Sequence, residues 1–168
     1  DAFARVLAEY RASQLFNADR PESWANLGNL DARLGEVTAA EGEFARAVRL
    51  QPQFVPAYMQ LAELYRTSGR EASADSVLRL GLERVPANTD LQYQLGLSLI
   101  RQGRKADALP LLTAAAESGN SQYAYVYGVA LFDGGQSALA VTTLRKALAA
   151  TPDDRELLYG LASIAAAA

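Results

Sequence analysis

The chain of 168 residues contains no cysteine and no histidine, which removes thiol nucleophiles, Cys/His zinc sites and any triad that uses imidazole as its base. The chemistry left is that of carboxylates. Two acidic pairs lie close in sequence, Asp153 with Asp154 and Glu41 with Glu43. Paired acid–base work needs two carboxyl groups in unlike environments. These pairs fall at a helix start and on a helix face, where the helix dipole and solvation account for them. The adjacent glycines Gly134 and Gly135 lack the Lys and Ser or Thr of a phosphate-holding loop and read as a turn. No catalytic residue, cofactor or metal is therefore expected.

Composition narrows the partner class. Half the residues are hydrophobic and 21% are charged, enough apolar content for a continuous core. The net charge of −3 argues against a phosphate-binding surface, since nucleic-acid affinity rests on clustered Lys and Arg. Polar residues interrupt every apolar run well short of the roughly 20 residues a membrane span requires.

What positions side chains in this chain is a repeat. Gly35, Gly69 and Gly103 fall 34 residues apart and Gly135 follows after 32. Other columns keep the same register. Leu27, Leu61, Leu95 and Tyr127 are each followed by a small residue, Gly28, Ala62, Gly96 and Gly128. Further on come Ala40, Ala74, Ala108 and Ala140, then Phe44, Leu78, Leu112 and Leu144, then Ala47, Gly81, Ala115 and Ala147. Trp24 and Tyr58 open two units, and Pro52, Pro86 and Pro152 close three. A fixed period of this size marks stacked supersecondary units.

Apolar residues recur at helical spacing on both sides of each frame glycine, so each unit is an αα-hairpin with the glycine in a left-handed position just past the first helix. Asp19 with Glu22 has the spacing of a capping box, and Asn88 and Asp153 stand where they cap the helices that follow. The small column lets helices approach closely. Because Ala62 already occupies it, Gly96→Ala is expected to be tolerated. Pro110 falls inside a second helix and is expected to bend it.

The unit W/Y-x2-L-G/A, Gly, A-x3-F/L-x2-A/G, Pro resembles the tetratricopeptide repeat over essentially the whole chain. The resemblance implies an all-α solenoid of helical hairpins wound as a right-handed superhelix, with residues 1–168 as one domain. A half repeat occupies 1–20, full repeats 21–54, 55–88, 89–120 and 121–154, and an opening half 155–168. Departures are local. Gln92 and Ala124 replace the aromatic, and the unit at 89–120 is two residues short and lacks its proline.

The resemblance also implies a site: a concave groove lined by set positions of each first helix. These are Asn26, Asn29 and Arg33; Met59, Gln60, Glu63 and Thr67; Tyr93, Gln94, Leu97 and Arg101; Tyr125, Val129, Phe132 and Asp133; and Tyr159 beyond. Amides suit the backbone of a bound segment and aromatics anchor it, so the expected ligand is a protein, as a peptide segment or partner helix. The co-chaperone subclass clamps a terminal carboxylate with Lys and Asn. The matching positions here, Ala25, Asn26, Asn29, Pro56 and Gln60, keep asparagines without the lysines, so that ligand is not expected.

The chain opens inside a second helix and ends inside a first one, which reads as a piece of a longer protein. Its Ala-, Leu- and Arg-rich style is similar to repeat segments of bacterial proteins, many of them extracytoplasmic. The final segment carries Leu157, Leu158, Leu161 and Ile164 with no polar helix after it. Either self-association through the terminal helices or a further covering helix is expected.

Overall fold

The computed structural model describes residues 2–167. Ten α-helices follow one another, with no strand among the described residues: α1 Ala2–Phe16, α2 Pro21–Leu34, α3 Val37–Leu50, α4 Val55–Thr67, α5 Glu71–Arg84, α6 Thr89–Arg101, α7 Lys105–Ala116, α8 Ser121–Asp133, α9 Ser137–Ala150 and α10 Arg155–Ala166. They pair as α2/α3, α4/α5, α6/α7 and α8/α9, while α1 packs on α2 and α10 packs on α8 and α9. The chain divides between Pro86 and Ala87 into two compact units, α1–α5 and α6–α10.

The frame glycines close the hairpins. Gly35, Gly69, Gly103 and Gly135 have φ of +82°, +72°, +75° and +77°, a region where a Cβ costs about 1–2 kcal/mol. In each turn the next amide reaches back to a carbonyl five residues earlier. Glu36 donates to Asp31 and Arg70 to Tyr65, both at 2.8 Å, and Arg104 donates to Leu99 and Gln136 to Leu131, both at 2.9 Å. These bonds satisfy carbonyls that the helix end leaves open.

Small and large columns meet inside the hairpins. A Cβ on Gly28 would lie 2.6 Å from the Phe44 ring, one on Gly96 2.7 Å from Leu112 Cδ2, and one on Gly128 2.6 Å from Leu144 Cδ2. The expectation that Gly96→Ala is tolerated therefore fails. Leu112 is fully buried, and a methyl group at residue 96 must displace it.

The aromatic column has a polar task as well as an apolar one. The Trp24 indole N–H donates to the Ala18 carbonyl and the Tyr58 hydroxyl to the Pro52 carbonyl, each at 2.8 Å and each six residues upstream. Trp24 packs with Val48 and Phe54 against the buried Ala25, Ala47 and Ala57, and the Arg46 guanidinium lies 4.1 Å above its ring.

Helix starts depart from expectation in two places. Arg20 rather than Asp19 precedes α2 and makes no side-chain cap, because a guanidinium has no acceptor to offer; Pro21 at the helix start leaves one fewer open amide. Asp154, not Asp153, caps α10 by accepting from the Glu156 and Leu157 amides at 3.0 and 3.1 Å. The Ser121 hydroxyl and these amides hold the Asp154 carboxyl below its ordinary range. Asn88 caps α6 as expected, and Asn120 caps α8 in the same way. Helix α7 runs through Pro110 as one α-helical segment. Pro110 and Ala106 are both exposed, and Pro110 has no amide to donate to the Ala106 carbonyl.

Candidate partner-binding surfaces

In the first unit, Asn26, Asn29 and Arg33 of α2 come together on one hollow of about 420 Å³. Its other wall is α1, with Val6, Leu7 and Tyr10, and Leu30 completes it. Sequence reasoning missed these apolar partners because α1 was assigned no groove positions. The Asn26 amide donates to Gln14 Oε1 at 3.1 Å, which orients it along α1. The hollow thus borders apolar side chains with two amides and a guanidinium.

Gln60 and Glu63 stand on α4, one turn apart. Gln60 is half-buried and its Oε1 has no hydrogen-bond donor among the described residues. Glu63 is exposed and accepts from the Arg66 guanidinium at 2.7 Å. The Thr67 hydroxyl turns into its own helix, donating to the Glu63 carbonyl at 2.9 Å.

The second unit distributes its aromatics differently. Tyr93 is only 7% exposed and stacks on Tyr123 with ring centroids 4.1 Å apart. Burial raises the Tyr93 hydroxyl above its ordinary range. The Tyr123 hydroxyl donates to the Asp90 carboxylate, and burial first, then that bond, pushes its pKa up to about 12. Tyr125 and Val129 line a smaller hollow of about 140 Å³ with Ile100, Lys105 and Asp133, where the Lys105 ammonium donates to the Asp133 carbonyl at 3.3 Å. Tyr125 and Phe132 also pack on the core formed by Leu131, Leu144, Leu157 and Ile164. Gln94 and Leu97 are half-buried and Arg101 is exposed on α6. Tyr159 is 69% exposed on α10.

The acidic pair Glu41 and Glu43 is not a solvated helix face. Glu41 accepts from the Tyr65 hydroxyl at 2.7 Å and from Arg70 at 2.9 Å. The Tyr65 bond, ahead of Arg70, holds its carboxyl below the usual range. The Arg70 guanidinium also lies 4.3 Å over the Tyr65 ring. Glu43 faces Asp31, which is 1% exposed and ion-paired with Arg11. Burial first, and then the Asp31 charge, pushes Glu43 up to about 7. Asp31 Oδ2 and Glu43 Oε2 are buried without a partner as long as both groups are ionised. A proton on Glu43 makes it a donor to Asp31 and removes one buried charge. With Asp31 closed to solvent, the Arg11–Asp31–Glu43 cluster ties α1, α2 and α3 together.

Among the described residues no helix is long and apolar enough to cross a membrane. A family model described as tetratricopeptide repeat matches residues 25–89, 93–155 and 128–168. No curated protein gives a significant match. Among solved structures, YrrB, described as a TPR protein with an unusual peptide-binding site, superposes with a TM-score of 0.68 at 21% identity, over 99% of this chain and 83% of that one. TTC0263, a thermophilic TPR protein of Thermus thermophilus, gives 0.69 at 24% identity over 97% and 94%. MamA gives 0.70 at 16% identity over 86% and 80%. At these identities the likeness speaks for the fold alone.

Proposed function

Given that the chain belongs to the tetratricopeptide repeat family, we propose that it is a protein-interaction module, a scaffold that holds a peptide segment or helix of a partner and performs no catalysis itself. The observation that carries this reading is the α1/α2 hollow, where Asn26, Asn29 and Arg33 border Val6, Leu7, Tyr10 and Leu30. Amides and a guanidinium satisfy the backbone and charge of an extended segment while the apolar wall takes its side chains. Tyr125 and Val129 offer a second, smaller foothold of the same kind, with the one-domain repeat array as the frame we propose for both. That a solved relative of this fold is described by its peptide-binding site is consistent with this role.

The test is selection of binding peptides from a displayed library, followed by titration of the best one against variants. Asn29→Ala with Arg33→Ala should weaken binding about tenfold or more, whereas the exposed Arg79→Ala should leave it unchanged. Equal binding by the parent and both variants removes the α1/α2 hollow as the site.

A second reading, self-association, rests on Leu158 and Tyr159, which are 46% and 69% exposed on α10. Sedimentation across a concentration series separates it from the first. A mass that stays monomeric up to millimolar chain removes it.

A further inference from the structure

The α2/α3 and α8/α9 hairpins share one numbering offset, from Gly35 to Gly135. The offset extends back through the preceding loop, since α1 and α7 end at Phe16 and Ala116 and the caps are Arg20 and Asn120. In the first hairpin Trp24 fills the space over Ala47, with Arg46 above its ring and the Ala18 carbonyl accepting its N–H. In the second, the corresponding residues are Ala124, Ala147, Lys146 and Ser118. The floor, the cation and the loop are retained and the aromatic ring is gone.

The space it vacates is open. A hollow of about 260 Å³ lies there, lined by Ala124, Tyr127, Thr143, Lys146 and Ala147, with Glu117 at the exit of α7. An apolar cavity of about 150 Å³ is enough to take up benzene. We propose that this hollow is a docking site for the aromatic side chain, indole or phenol, of an exposed segment of a partner protein. The guest supplies in trans the ring that Trp24 supplies in cis. Its face packs on Ala124 and Ala147 beneath the Lys146 ammonium, a cation–π arrangement like that of Arg46 over Trp24. Its N–H or O–H meets the Glu117 carboxylate. An aliphatic guest gains neither polar contact. The site uses none of the α1/α2 hollow and stands or falls independently of it.

The full chain is titrated with the capped peptide acetyl-Gly-Trp-Gly-amide and with its Leu counterpart, read by backbone amide shifts of residues 117–150. The Trp peptide should saturate with shifts at Ala124, Lys146 and Ala147, and should bind about tenfold or more tighter than the Leu peptide. Ala124→Trp should occupy the hollow, raise the melting temperature and abolish the shifts. If that variant does not fold, the exposed Lys146→Ala carries the test, with a loss of about threefold or more from the cation–π contact. Equal binding of Trp and Leu peptides, undiminished binding by Ala124→Trp or by a folded Lys146→Ala, or shifts confined to other helices would each overturn the proposal.

Discussion

Two hairpins built on one plan close their cores by different means. At the position where the first carries Asp31, the second carries Leu131, and Arg11 and Glu43 correspond to Leu111 and Thr143. Asp31 and Leu131 are equally sealed from solvent, at 1% and 2% exposed. The backbone turn is the same in both, since each residue's carbonyl accepts the amide that follows the frame glycine. A buried position in this fold thus fixes geometry and leaves polarity open, provided that any charge arrives with a partner. The first unit has taken the charged solution and with it a dependence on pH. The second has taken the apolar one and moved its aromatics to a stacked pair, Tyr93 on Tyr123.

The largest effect should come from breaking the charged solution by half. Asp31→Ala leaves the half-buried Glu43 without its hydrogen-bond partner and beside a void, while Arg11, 38% exposed, is rehydrated, and should cost about 3 kcal/mol in thermal or urea denaturation. Transplanting the apolar version, Asp31→Leu with Glu43→Thr, should recover parent stability or exceed it, because Arg11 is 38% exposed and turns to water. If the double variant is as unstable as Asp31→Ala, the two solutions are not interchangeable.

Next in size is the close helix contact that both units share. Gly96→Ala should cost about 1–3 kcal/mol by overpacking against Leu112, and Gly28→Ala against Phe44 should behave alike. Gly42, within α3 with nothing near a would-be Cβ, marks the opposite case. Gly42→Ala should stabilise by up to about 1 kcal/mol. Identical melting temperatures for the Gly96 and Gly42 variants would contradict the column assignment.

A smaller effect is the pH slope. Glu43 binds its proton more tightly in the folded chain, about 7 against an ordinary 4.5. Between those values the native state holds more protons than the unfolded one, so the stabilising contribution is complete below about 4.5 and is lost as pH rises through about 7. Glu43→Gln should flatten that window. Trp24 is the single tryptophan of the chain, so its fluorescence follows the first unit. A slope unchanged by Glu43→Gln would assign the pH dependence elsewhere.

The repeat was legible because turn chemistry is local. Glycines at a fixed interval with a large–small pair ahead of them predict the left-handed turn and the hairpin from a few neighbouring residues. Asn88 was legible as a cap for the same reason, while the choice between Asp153 and Asp154 hung on a single residue of register. The Arg11–Asp31–Glu43 cluster was not legible. Its members come from three helices, and a charge read along one helix looks solvated whatever lies opposite. Tyr93 shows the other limit. The family pattern carries it to the groove lining, yet it stacks on Tyr123, which belongs to the next hairpin, and is only 7% exposed.

The bonds that close each hairpin have a kinetic meaning as well. The amide beyond the frame glycine reaches five residues back, and the Trp24 and Tyr58 side chains reach six, so none requires distant chain to be found first. Closing loops this short has little entropic cost, and structures dominated by such contacts fold fast for their size. A hairpin can therefore nucleate as soon as its own residues emerge and template the next one along the chain. Order can begin at any turn, and a lesion in one hairpin need not delay the start of another.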